Sequence, residues 1–402
     1  MKKNLSKTLL ALAVLFAAAS CNDDKEEQIA PEVETEHRFV RILVNDEVTN
    51  EVSLVDPQKL TAEKFQAQFP KSALYGTSGG RFGAMVNSAN NFVQLFDTGF
   101  EGHGDHVDVK GTPKFGALTG NGNRPTHFKT KGDEIITFND GDGTLSIAKE
   151  ADFHTPGAKM TLINAGNVVH HGAMTKFDNG NYAITEKDGS VSGTLPERVK
   201  IVDANGKTVH ASTIQTKGIH GNATNGQVSV FGSSSGILVV EQNGAQKLIP
   251  HPADFGDAWF GSILEASHAQ RFIGFTAAKG AYLIDVQKGE VTPILANADI
   301  MQAKVDYSGK NLITLLHSGE VRIFDLATNT EKTKGSVVGA VAKDETQKPQ
   351  VEATERYLYI TQPKTGELLI VSTKDLSKQQ RVKVSATPYR LSILGFESSE
   401  GH

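Results

Sequence analysis

Cysteine is nearly missing from this chain: Cys21 stands alone among 402 residues. No disulfide can form within the chain, so the fold must rest on its own core. Once Cys21 is committed elsewhere no thiol nucleophile remains. Tryptophan also occurs once, as Trp259, which is thin support for stacking on a glycan. A basic excess is missing too. Lys and Arg number 41 against 46 Asp and Glu, a formal net charge of −5, which argues against nucleic-acid binding. No Gly-x-Ser-x-Gly elbow is present, and Gly232-Ser233-Ser234-Ser235-Gly236 has neither the lysine nor the helix of a phosphate loop. Beyond the amino terminus no apolar run is long enough to cross a bilayer, which takes roughly 20 residues.

The amino terminus itself is distinctive. A basic start, Met1-Lys2-Lys3, precedes an apolar run over 9–16 and the small residues Ala18-Ala19-Ser20 before Cys21. This predicts a lipoprotein signal peptide over residues 1–20, with Cys21 lipidated as the first mature residue. Ala18 stands where a lipobox usually has Leu. Residues 21–36, rich in Asp and Glu, then form an acidic tether without a core of their own. The protein is therefore expected to be exported and held by its lipid on the outer membrane, at the periplasmic face or the cell surface.

Residues 37–402 read as short strands separated by Gly, Asn and Asp turns. Similar strand pairs begin near Ser72, Thr126, Val168, Gly218, Gly261, Ala303 and Val351. A period of about 40 to 50 residues with several strands per unit marks propeller blades, so the expectation is all-β: a single β-propeller of about seven blades. The same spacing also fits paired sandwiches or a β-solenoid. The closing strand 390–395 is expected to pair in a sheet begun by 39–44, which protects the edges of the end blades. Residues 61–69 read as a short helix or an irregular link.

Three stretches share one layout, a histidine at the start of a strand, then a polar turn, then an apolar strand. They carry His127, the pair His170-His171, and His220. Matched positions in successive blades converge on the channel mouth, and three neutral imidazoles suit zinc. Either His170 or His171 is the ligand of its blade. His268 is a weaker fourth candidate, His251 reads as a loop residue, and His210 and His317 as structural. His154 fits either role. A glycine-softened loop places His103 and His106 beside Asp105 and Asp108, where they would feed the site. The run Asn139-Asp140-Gly141-Asp142-Gly143 reads as a hairpin turn: aligned as a calcium loop it puts Phe138 at the first ligand position and Lys149 at the bidentate one.

The segments Arg124-Pro125-Thr126-His127-Phe128, Val169-His170-His171-Gly172-Ala173, Gly218-Ile219-His220-Gly221 and Phe231-Gly232 resemble those of the AztD-type zinc metallochaperones. So does the strand Gly236-Ile237-Leu238-Val239-Val240. The loop from His103 to Asp108 is similar to that family's His/Asp-rich mobile loop, and the ending with His402 to its His-bearing tail. The resemblance runs collinearly from about Phe92 to the end. It implies a monomeric propeller, not an enzyme, that binds a zinc ion and passes it to the solute-binding protein of a zinc importer. This chain departs from the family in having Gln215 or Thr216, and Ser233, where that family often has cysteines, so an expected disulfide is absent. Asn222 replaces an acidic residue after His-Gly, and a membrane anchor replaces a free carrier.

Two other readings of the residues stand beside this one. The mouth histidines, above all His170-His171, would serve a hydrolase or lyase as general base, with Asp257 or Glu265 as acid. Trp259 with Phe260 would serve a surface scaffold that recognises a protein or glycan.

Overall fold

The computed structural model describes residues 38–103 and 106–397. The signal peptide, Cys21, the acidic tether, Asp105 and His402 lie outside the described residues. Within them the chain builds eight antiparallel sheets of four strands each, plus one two-stranded hairpin. The inner strands, in chain order, are Ala73–Gly76, Pro125–Lys131, Met174–Lys176, Ile219–Thr224, Ser262–Ala266, Ile300–Val305, Val351–Ala353 and Pro388–Gly395. Inner strands pack against the neighbouring blade all the way round the ring. The architecture is a propeller, with eight blades rather than about seven. The seven repeats legible in sequence are each contiguous. The eighth is assembled from both ends: Val40–Asp46, Glu51–Asp56 and Thr61–Gln66 supply three strands, and Pro388–Gly395 supplies the inner one. No local period betrays such a blade. The closing pairing sets Ile42 opposite Ile393 and Val40 opposite Gly395, as the terminal strands predict.

The second blade, that of Pro125–Lys131, shows why these sequences stack. Its second strand, Glu134–Asn139, is buried at every position. Successive strand residues face opposite ways, so one strand feeds two cores. Ile135 joins Phe82 and Leu95 of the preceding blade and Phe153 of its own. Ile136 and Phe138 join Met174, Tyr182 and Ile184 of the following blade. Strands buried on both faces therefore read as continuous apolar runs rather than as alternating ones.

Outer strands differ. Residues 61–69, read as helix or link, contain the strand Thr61–Gln66. It is the rim of its blade, paired on one side only, and most of its residues are exposed, so its polar character hides its strand nature. The stretch 168–173 is likewise not a strand start but the connector into Met174–Lys176.

All inner strands begin at one face of the ring, the mouth face, and end at the far face. Third strands run the same way as the inner ones. The hairpin Phe100–His103 with His106–Val109 leaves the end of the third strand Phe92–Asp97. It therefore lies on the far face, where Phe100 and Val107 pack on Phe39 and Phe396. Asp97, buried, accepts two bonds from Arg81 at 2.9 and 2.8 Å and one from His154 Nε2 at 2.7 Å, which pins the base of this hairpin.

Candidate metal centre

His127 is the third residue of Pro125–Lys131, beside a register shift between Pro125 and His127. His220 is the second residue of Ile219–Thr224, beside a shift between His220 and Asn222. Such bulges re-aim a side chain at the end of a strand. Gly221 makes the second bulge possible. Its φ is +62°, and a Cβ there would lie 2.5 Å from Gly261 O. His171 comes from the connector before Met174–Lys176, and Gly172 beside it runs so close to Phe138 that a Cβ would meet that ring at 2.2 Å.

The three rings converge at the mouth. Ring centroids are 4.9 Å apart for His127 and His171, 5.3 Å for His127 and His220, and 5.1 Å for His171 and His220. One ring nitrogen from each lies within 4.8 Å of the other two. His127 Nε2 and His171 Nε2 are 3.3 Å apart. Zinc–imidazole bonds near 2.1 Å in a tetrahedron set the ligand nitrogens roughly 3.4 Å from each other, so this pair already has a metal-site spacing.

Hydrogen bonds fix which nitrogen faces inward. His171 Nδ1–H donates to Asp140 Oδ2 at 2.6 Å, and His220 Nδ1–H donates to Gly261 O at 2.7 Å. Each ring therefore presents an unprotonated Nε2, the arrangement that outer partners impose on metal-ligating histidine. Because His171 gives its proton to Asp140, His127 Nε2–H is the donor and His171 Nε2 the acceptor in their 3.3 Å contact. Burial, followed by the charges of His171 and His220, pushes the His127 imidazole down to about 3. It stays neutral, as a ligand must. Burial pushes the Asp140 carboxyl up, but hydrogen bonds from His171, Thr126 and the Gly172 N–H outweigh it and hold the group below the usual range.

The other sequence candidates fall elsewhere. His170 is buried, with Nδ1–H donating to Val168 O at 2.7 Å and Nε2 accepting from Thr185 Oγ1 at 3.1 Å. Both nitrogens are used, so it is a core residue, and the His170-His171 pair is no catalytic couple. His103 and His106 stack at 5.9 Å in the far-face hairpin, with His103 Nε2 3.2 Å from Glu101 and 3.6 Å from Asp108. Strand direction puts them at the opposite end of the ring from the triad, not beside it. His268 sits in the turn after Ser262–Ala266, also at the far end. His154 is held by Asp97 there. His251, in the connector, donates through Nε2 to Ser233 O and stacks on Phe255. Trp259 is half-buried in the same connector, and Phe260 is fully buried against Phe255 and Tyr282.

Asp140 was legible only as a turn residue, and the Gly261 carbonyl left no mark in the sequence at all. The departures from the family pattern are also explained locally. At these positions Thr216 Oγ1 donates to Glu197 O and Ser233 Oγ to Gly236 O, while Ser234 N–H donates to Gly218 O and ties the two stretches together. Asn222 turns away from the centre and donates through Nδ2 to Met174 O. Its carbonyl accepts from Lys129 Nζ at 2.7 Å. Burial pushes the Lys129 ammonium down to about 8.

No family model matches the chain. Zinc chaperone AztD of Citrobacter koseri is 22% identical over 366 residues, which cover 87% of this chain and 84% of that protein. A crystal structure of Citrobacter koseri AztD aligns with a TM-score of 0.80 at 19% identity, over 90% of this chain and 99% of that one. Apo AztD of the same organism aligns at 0.79 and 18%, over 89% and 98%. The dihydro-heme d1 dehydrogenase NirN, in complex with DHE, aligns at 0.61 and 13%, over 88% and 74%. The resemblance to AztD that the motifs carry thus extends along most of the chain.

Proposed function

We propose, with the likeness to a zinc chaperone as premise, that this chain is a metallochaperone whose cargo is a zinc ion held by His127, His171 and His220. The observation that carries this reading is the convergence of three imidazoles from three successive blades, two of them locked by outer hydrogen bonds with Nε2 bare. Three nitrogen ligands leave one tetrahedral position open. A water fills such a position during carriage, and a ligand from the receiving protein replaces it at transfer. The receiver in this reading is the solute-binding protein of a zinc importer.

Lipidation at Cys21 would hold the carrier on the outer membrane, at the periplasmic face or the cell surface. Arg38 and Glu397, where the described chain begins and ends, both lie at the far face, since Val40–Asp46 starts there and Pro388–Gly395 finishes there. The triad opens at the other face. Isothermal titration of the metal-free protein is expected to show near-stoichiometric zinc uptake, and H127A/H220A to abolish it. Uptake unchanged in that double variant ends the reading. A C21S chain is expected to leave the membrane fraction for the soluble one.

A further inference from the structure

Beyond the triad, toward the far face, the later residues of the inner strands line a half-open cavity of about 310 Å³. Five charged side chains stand on its wall: Lys129, Lys131, Lys176, Lys304 and Glu265. Three of the lysines are paired with carboxylates that do not line the cavity. Lys131 meets Asp178 at 2.5 Å, Lys176 meets Glu134 at 2.9 Å, and Lys304 meets Glu352. Lys129 and Glu265 differ. Among the described residues neither makes a contact ion pair; Glu265 feels the charge of Lys131 first and of Lys129 second, and Lys129 feels that of Glu265. The hydrogen bond of Lys129 goes to a backbone carbonyl, Asn222 O. Lys129 lies two residues beyond His127 on one strand, so both side chains face the same side, toward the axis.

Both groups are half-buried, and opposite charges held apart there lose part of their hydration with no partner to replace it. The cost is offset if a ligand bridges them. Such a ligand carries an anion and a cation a short distance apart. The remaining wall near these groups is apolar, from Ala223, Ile263, Leu264 and Val305. The volume is at the small end of ligand pockets, which start at roughly 300 Å³.

We propose that this cavity binds a free α-amino acid with a small apolar side chain. The ligand's carboxylate sits on the Lys129 ammonium and its ammonium on the Glu265 carboxylate. The site is separate from the zinc reading, because it uses neither the triad nor a metal.

The test uses the full chain stripped of metal by a chelator. L-valine, its α-keto acid and isobutylamine are titrated calorimetrically. L-valine is expected to bind, and each half-ligand to bind weaker by roughly tenfold or more, since each leaves one of the two charges without a partner. K129M and E265Q are each expected to weaken L-valine by a similar factor. E265Q is nearly isosteric and guards against a folding defect in K129M. Zinc uptake by E265Q is expected to match the parent, which separates a failure here from a failure of the triad. No binding of L-valine up to millimolar concentration overturns the proposal. So does α-keto acid binding as tight as that of L-valine, which would mark a plain anion site, or L-valine binding that survives E265Q.

Discussion

A neutral imidazole has one N–H to give and one lone pair to offer, and the adjacent residues His170 and His171 divide along that line. Thr185 and the Val168 carbonyl take both atoms of His170. Asp140 takes only the N–H of His171 and leaves its lone pair at the mouth. D140N is accordingly expected to weaken zinc binding by roughly 10- to 100-fold, measured by competition with a chromophoric chelator. H170A is expected to keep zinc stoichiometry and to cost about 1–3 kcal/mol in a urea titration, because it strips buried partners. The sequence leaves this pair open for a physical reason: the deciding groups stand 31 and 15 residues away. His127 adds a pH dependence. Its folded value of about 3 lies below the ordinary 6.5, so the unfolded chain takes up the proton first on acidification. The stability it contributes is complete above about pH 6.5 and is lost progressively toward pH 3. The urea midpoint of metal-free protein is expected to fall over that window, and to fall less in H127L.

At the scale of the element, strands buried on both faces were the easiest to read. Glu134–Asn139 and Tyr357–Gln362 announce themselves by apolar runs between turn residues. Thr61–Gln66 did not, because a rim strand with one paired edge keeps polar side chains in water. The histidine-bearing strands were legible in kind, but their bulges were not, since a bulge depends on the partner strand's register. The stretch with His103 and His106, which reads as a loop in the sequence, is a two-stranded hairpin at the far face. Its position follows from the parity of strands: a segment that follows a third strand exits at the face opposite the start of the inner ones. H103A/H106A is therefore expected to leave the zinc stoichiometry and affinity of the triad unchanged by calorimetry. A loss of triad binding in that variant would place the hairpin at the mouth after all.

For the molecule as a whole, the ring and its closure were readable from the repeats and the terminal strands, while the eighth blade was not, being split between the two ends of the chain. A chain ending at residue 387 lacks Pro388–Gly395. It bares the edge of Val40–Asp46, a strand almost wholly buried in the intact protein. Unpaired apolar edges invite pairing with other chains, so this truncation is expected to aggregate on expression and to lose the single cooperative transition in circular dichroism, although the triad's own blades are intact. The pairing of Ile42 with Ile393 also sets an order in time. The first strand to leave the ribosome waits for the last before it has its neighbour. A half-made chain cannot close into a stable ring, and closure waits on the synthesis of Pro388–Gly395.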